Sequence, residues 1–514
     1  MARQIIQTII TAQQGQPHQF KGDILMLGLY NDTKQVPGEY VLVDKAADGA
    51  IGHLLEIGDF AGKSCENAIL YTPGNFGCRR IMVVGLGEKE KFEPEILRQT
   101  IGTAVRAADK LAAGKIGLAL PAEMLDGKFK TERIAQAVSE GAIAGRYEFE
   151  DYLPEKKENG KSSPKTQITL LAVNASQAKI FDQGCKIGSV LAQGQNVARM
   201  IANKPANEIN PPTLAREAQR LAKQFGLHCK IYDDRELLRM KMNAILAVGN
   251  SSASKPRLIL LEYNGRRGGA KTKGPDVIVV GKAVTFDSGG IDLKPSPKME
   301  LMKFDKCGGC DVLGIMTAAA RLKLPLRVVG LIPSAENLIS DTCYRPGDIV
   351  RTCSGKTVEI LSTDAEGRML LCDALTLAVK MKPDAIVDLA TLTGACAVAL
   401  GEHYAGLFGN DDSLLNKFKA AAELSGERVW HLPSGPEYLE QMKSKIADLK
   451  NVGVREGGAS MAAAFLGEFV DGIPWVHLDI ACVAKPDTDK PWRDSGATGF
   501  GVRLVLEYLR SLVS

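Results

Sequence analysis

Two α/β domains, each a mostly parallel or mixed sheet flanked by helices, with the C-terminal one larger, are what this sequence predicts. Three observations carry that expectation. At 514 residues the chain exceeds one ordinary domain. Strand-like and helix-like segments alternate through both halves. Several strand candidates are unbroken apolar runs, as strands covered on both faces should be.

The N-terminal α/β domain is expected at 1–170. Its strands are ILMLGLY (24–30), RIMVVGLG (80–87) and KIGLALP (115–121), with a helix over 94–114. LPEKKENGKSSPKTQ, residues 153–167, is rich in Lys, Ser, Pro and Gly and reads as an exposed loop near a boundary. The strand TQITLLAV (166–173) then leads into a connecting helix, assigned to 171–204. The larger domain, 205–514, opens on prolines before a helix that sets Leu214, Ala218, Leu221, Ala222 and Phe225 on one face. Its strand candidates are 244–249, 257–263, 276–281, 327–332, 385–390 and 475–481.

Composition excludes several classes. A net charge of +4 over this length gives no case for a nucleic-acid partner. No stretch approaches the roughly 20 apolar residues of a membrane span, and the apolar run Ile5–Ile10 is broken by Gln7 and Thr8, too short and polar for a signal core. Eleven cysteines, an odd number spread from Cys65 to Cys482, read as reduced small hydrophobes. A cytoplasmic protein that does not engage membranes is expected.

Three motifs carry no chemistry. Gly85-Leu86-Gly87 follows a strand, but Glu90 stands where a dinucleotide fingerprint needs its third glycine, so a tight turn is expected. Ser354-Gly355-Lys356-Thr357 imitates a phosphate loop, yet Val350 replaces its first glycine, which leaves a hairpin turn. The six histidines have no metal-site spacing and read as surface or packed residues.

Chemistry concentrates where the strand at 276–281 ends, because ligands of open α/β sheets gather outside the carboxyl ends of strands. Asp287, Asp305, Asp364 and Glu366 are four carboxylates on loops beside apolar elements, with Lys282, Lys294 and Arg368 among them. STDAEGR, 362–368, likewise follows a strand, KTVEIL, and precedes a helix. Taken singly, each acid reads as a helix cap or a surface charge. Their combination points to a shared site.

VGKAVTFDSGGIDLKPS, MKFDKCGG, STDAEGRMLLCDAL and DLATLTGAC closely resemble the leucyl aminopeptidase (cytosol aminopeptidase) family. Weaker resemblance at NKPANEINPPTLA (203–215), RPGD (345–348) and HLDIA (477–481) extends it over the C-terminal domain, while the first 170 residues are similar only in layout. The resemblance implies that the larger domain is catalytic and that the protein is a homohexameric aminopeptidase, releasing leucine or another apolar first residue from peptides with a free N-terminus. It implies two divalent ions per subunit, zinc or manganese, with magnesium an option in one site. Their implied ligands are Lys282, Asp287, Asp305, Asp364 and Glu366, with Asp287 and Glu366 bridging. It implies further that Lys294 polarises the scissile carbonyl, that Arg368 holds a bicarbonate relaying protons, and that Met302, Thr391 and Gly394 line the substrate pocket.

Such a donor set suits the chemistry. Hard oxygen ligands with one nitrogen fit these cations, and two of them about 3.5–4 Å apart lower the pKa of a shared water. A lysine ligand must lose a proton held near 10.4, a shift of roughly 3.4 units or about 4–5 kcal/mol, so Lys282 is expected to be protonated without metal. The chain departs from the family at Lys306–Asp311, at Ser362 and at Cys482. Cys307 and Cys310 form a C-x-x-C at a helix start, to be read either as a redox pair or as two buried thiols. Two other readings compete: a peptidase-like scaffold, which predicts eroded ligand positions, and a two-metal phosphoester hydrolase, which leaves a lysine ligand unexplained.

Overall fold

A computed structural model describes residues 8–74, 76–125, 127–154, 165–266 and 274–513. The chain forms two compact units, Met1–Gln193 with Thr488–Asp494, and Gly194–Asp487 with Ser495–Ser514. Most of the expected loop at 153–167, and the start of the apolar run Ile5–Ile10, lie outside the described residues.

The first unit is built on β1 (Thr8–Gln14), β2 (Gly22–Leu29), β3 (Asn67–Tyr71), β4 (Cys78–Gly85), β5 (Lys115–Ala119) and β6 (Thr166–Ala172). They run in the order β1-β6-β5-β2-β4-β3, all parallel except the edge strand β3. Both faces are covered. Ile24 and Met26 pack in one cluster with Leu97, Ile101 and Val105 of α1 (Pro94–Lys110) and with Ile134 and Val138 of α2 (Thr131–Gly145), while Leu25 and Leu27 face a second cluster around Tyr40, Val43 and Ile51. This period-two division of one apolar run is why such a strand shows no alternation in sequence. The helix α3 (Ala175–Asn203) follows, and the division between the units falls inside it.

In the second unit, α4 (Pro211–Phe225) is opened by a capping box in which Asn210 and Thr213 bond reciprocally. The main strands are β7 (His228–Tyr232), β8 (Arg257–Asn264), β9 (Val277–Gly281), β10 (Ala283–Asp287) and β11 (Arg327–Asn337), then β14 (Ala385–Ala390), β15 (Ala405–Gly409), β16 (Val429–His431) and β18 (Trp475–Asp479). Their order is β16-β15-β18-β14-β9-β11-β8-β7, with β10 also paired to β11. The central strands β18, β14, β9 and β11 are parallel, and every residue of β9 and β14 is buried. β12 (Ile349–Arg351) and β13 (Thr357–Glu359) form the hairpin expected around Ser354-Gly355, joined by β17 (Leu449–Lys450).

Three expectations need correction. AILAVG at 244–249 is not a strand but a helix, α5 (Asn243–Gly249), whose first amides at Ala244 and Ile245 are capped by the Asp373 carboxylate at 2.9 and 3.3 Å. Burial on all sides removes the periodicity that would distinguish so short a helix from a strand. The strand expected at 327–332 continues to Asn337, and KAVTFD, read as a loop, supplies β10 beside it. No helix among the described residues is long and apolar enough to cross a membrane, and all eleven cysteines are free thiols.

Candidate metal centre

β9 and β10 are separated by one residue, Lys282, whose backbone N–H and C=O are taken by Leu389 and Gly309, so its side chain leaves the sheet into the interior. Asp287 ends β10. Asp305 follows a short helical turn, Met299–Phe304, and precedes α6 (Cys307–Leu322). Asp364 lies in the turn before α7 (Glu366–Lys380), of which Glu366 is the first residue. Segments that follow β9, β10 and β13, with the turn before α6, thus supply one cluster.

Two lysines bracket it. Lys282 Nζ lies 2.8 Å from Asp305 Oδ1 and 2.8 Å from Glu366 Oε1, and donates to Thr391 O at 2.8 Å. Lys294 Nζ lies 2.8 Å from Asp287 Oδ2 and 2.5 Å from Asp364 Oδ1. Oxygens of Asp287, Asp364 and Glu366 fall within 4.8 Å of one another. Lys282 owes its room to Gly367, where a Cβ would stand 2.7 Å from the lysine Cε.

Burial sets the electrostatics. It raises the carboxyls of Asp287, Asp305 and Asp364; Glu366 pushes Asp287 and Asp305 further up, while the neighbouring ammoniums pull all three down. Burial alone would lower Lys282 and Lys294, but the surrounding carboxylates outweigh it and hold both protons tightly. Desolvation lowers Arg368 to about 10, although Glu366 and Asp479 oppose it. The Arg368 Nη1 donates to Asn451 O at 2.8 Å, whereas its buried Nε has no partner.

These residues fit divalent cations. Four carboxylates face two ammoniums, leaving excess negative charge, and Asp305 Oδ2 is a buried acceptor with no donor. Of the three expected pocket residues, Thr391 joins the cluster, its hydroxyl donating to Asp305 Oδ1 at 2.7 Å. Met302 reaches it through its carbonyl, which accepts the Asp305 N–H, and Gly394 is exposed at the start of α8 (Gly394–Leu400). The buried thiols of Cys307 and Cys310 are pushed up, Cys310 to about 12, contrary to thiolate stabilisation at a helix start. Desolvation there exceeds the helix dipole.

Sequence reasoning missed the residues that hold the cluster in place. Asn337, fully buried, spends both amide protons on Asp287 Oδ1 at 2.8 Å and Thr363 O at 2.9 Å, and Tyr344 donates to the same carbonyl at 2.7 Å. Thr363 donates to Gly289 O at 2.7 Å and exchanges bonds with Asp292. Asp292 and Thr363 lay inside recognisable motifs, but Asn337 had no signal beyond the strand it ends.

Comparison with known proteins identifies the family. The profile described as "Cytosol aminopeptidase family, catalytic domain" matches residues 196–506, and that of the family's N-terminal domain matches 26–156. A "Probable cytosol aminopeptidase" of Nitrosococcus oceani is 40% identical, covering 96% of this chain and 97% of its own. One from Aquifex aeolicus is 42% identical, covering 92% of each. Among solved structures, a tomato leucine aminopeptidase mutant superposes with a TM-score of 0.86 at 32% identity, covering 98% of this chain and 96% of that one. The bottromycin maturation enzyme BotP in complex with Mn gives 0.81 at 33%, covering 96% and 100%.

Proposed function

The chain belongs to the cytosol aminopeptidase family and is a metal-dependent aminopeptidase; from that premise we propose that the lysine–carboxylate cluster around Lys282 and Glu366 is its active centre. Lys282, Asp287, Asp305, Asp364 and Glu366 hold two divalent cations, zinc or manganese, with magnesium an option in one site; manganese is present in the similar BotP structure. Asp287 and Glu366, both buried and with oxygens within 4.8 Å of one another and of Asp364, would be the pair shared between the ions. When bound, such ions supply an activated water and polarise the peptide carbonyl.

The two lysines divide the remaining work by their exposure. Lys282, at 3% side-chain exposure, is enclosed and serves the ions, whereas Lys294, at 22%, is placed to reach the substrate carbonyl oxygen and hold the charge that develops on it. Arg368 presents its unpartnered Nε to a bicarbonate anion. A free α-amine has the lone pair to ligate one of the divalent cations, which an acylated terminus lacks, and this gives exopeptidase action. Thr391 and Gly394, with Met302, shape a pocket for an apolar first residue. We place the protein in the cytoplasm as a homohexamer; its free thiols and the name its relatives carry support the location.

The observation that carries this reading is the convergence of four carboxylates on two lysines in one buried cluster. Metal analysis combined with hydrolysis of a panel of aminoacyl amides tests it. Leucine and methionine amides should be cleaved and N-acetyl-leucine amide spared, with activity lost on chelation and restored by zinc or manganese. Cleavage that ignores either the blocking group or the chelator would sink the assignment.

A further inference from the structure

A cysteine pair other than Cys307 and Cys310 is placed for chemistry. Cys396 on α8 and Cys482, just past β18, are 86 positions apart in sequence, yet their Sγ atoms lie 3.6 Å from one another. Both are buried, and the chain makes room for them: at Gly406 of β15 a Cβ would stand 2.9 Å from the Cys396 sulfur, and Cys482 Sγ donates to Tyr404 O at 3.1 Å. Joining the sulfurs at about 2.05 Å requires them to close by about 1.6 Å.

The two thiols are unequal. Their sulfurs share one hydrogen-bond contact, and Cys396 is fully buried whereas Cys482 keeps 5% of its surface exposed. Cys482, the one thiol of the pair with an exposed surface, is the nucleophile and Cys396 the resolving thiol.

We propose that Cys396 and Cys482 form a reversible oxidation site that takes a hydroperoxide as co-substrate, and that its disulfide suppresses the peptidase. The Cys482 thiolate attacks one peroxide oxygen, the O–O bond breaks, hydroxide leaves and a sulfenic acid forms. The Cys396 sulfur then attacks the Cys482 sulfur, its own proton joins the departing oxygen, and water is released as the S–S bond forms. The peroxide gains the two electrons the thiols lose.

The path to the active centre is short. Cys396 N–H bonds to Thr393 Oγ1 at 3.0 Å, and that hydroxyl donates to Asp479 Oδ2 at 2.6 Å. The amides of Leu392 and Thr393 bond the other Asp479 oxygen, and Thr391, next in line, holds Lys282 and Asp305. Closing the sulfurs draws α8 and the turn after β18 together and shifts Thr391, and a displacement of about 1 Å at catalytic groups costs up to about 10²-fold in rate.

The activity readout rests on the aminopeptidase reading; the bond itself does not. The fully reduced, metal-loaded enzyme is titrated with hydrogen peroxide and mapped as peptides without reduction, alongside leucine-anilide hydrolysis. A Cys396–Cys482 linked peptide is expected, with activity falling about tenfold or more and recovering in dithiothreitol. Cys482→Ser should keep the reduced activity and ignore peroxide, and Cys396→Ser should leave a sulfenic acid at Cys482 that dimedone labels. Absence of the linked peptide overturns the site. A linked peptide with unchanged turnover, or equal inactivation of Cys482→Ser, overturns the regulation. A reduced enzyme inert to the anilide would instead count against the aminopeptidase assignment, with the mapping still deciding the linkage.

Discussion

A residue that touches no substrate can still fix the direction in which a buried carboxylate points. Asn337 does this for Asp287, since each of its amide protons has one acceptor and neither acceptor can be exchanged for water in a fully buried setting. Asn337→Ala is expected to weaken divalent-ion affinity by roughly 10–100-fold, as loss of an outer-shell partner does. Competition with a chelating dye reads this directly, and an unaltered affinity would remove the residue from the argument. Lys294→Ala should show the opposite pattern, with turnover down by roughly 10²–10³ and metal content intact, as for loss of one oxyanion donor. The acids and lysines of the centre were legible because they sit in long ordered motifs. Asn337 was not, because only the register that sets Asp287 beside it on β11 gives it a role.

Among the elements, α7 shows how a helix start can serve chemistry at its own expense. Gly367 sits one residue inside it, and alanine there would favour the helix by roughly 0.5–1 kcal/mol. The added methyl would meet Lys282 Nζ at 2.8 Å. Gly367→Ala should therefore lose metal affinity and activity in spite of that gain in helix propensity; retention of both would show that Lys282 can move aside. In the sheet, β14 and β18 bury a linked set in which His477 Nδ1 lies 2.5 Å from Asp388 Oδ1 and Trp475 Nε1 donates to Asp388 Oδ2 at 2.6 Å. Burial alone would lower the imidazole, but Asp388 raises it above its ordinary 6.5. Because the folded value is the higher one, this stabilisation is complete below 6.5 and fades as pH climbs through the raised value. Thermal melts of the parent should decline across that range, and His477→Gln should show a flatter dependence; parallel profiles would deny the coupling. Strand positions were readable wherever apolar runs were long, whereas α5 was not, since its cap comes from Asp373 on a remote helix.

At the scale of the whole molecule, the proposed homohexamer predicts a solution mass six times the 55.2 kDa chain, and light scattering that returns a single chain would exclude it. The alternating pattern of strands and helices conveyed two α/β units, but it could not show that each is built from two separate segments of the chain. Thr488–Asp494 belongs to the first unit, where Asp494 Oδ1 lies 2.5 Å from Arg106 Nη2 and the Trp492 Cβ would be 3.1 Å from a Cβ at position 102. On the ribosome, where chains grow at roughly 5–20 residues per second, the N-terminal sheet emerges early but waits for residues 488–494 before α1 gains its last neighbours. A nascent chain stalled ahead of Thr488 would carry an unfinished first unit, so that unit cannot be completed until the larger one has been almost wholly made.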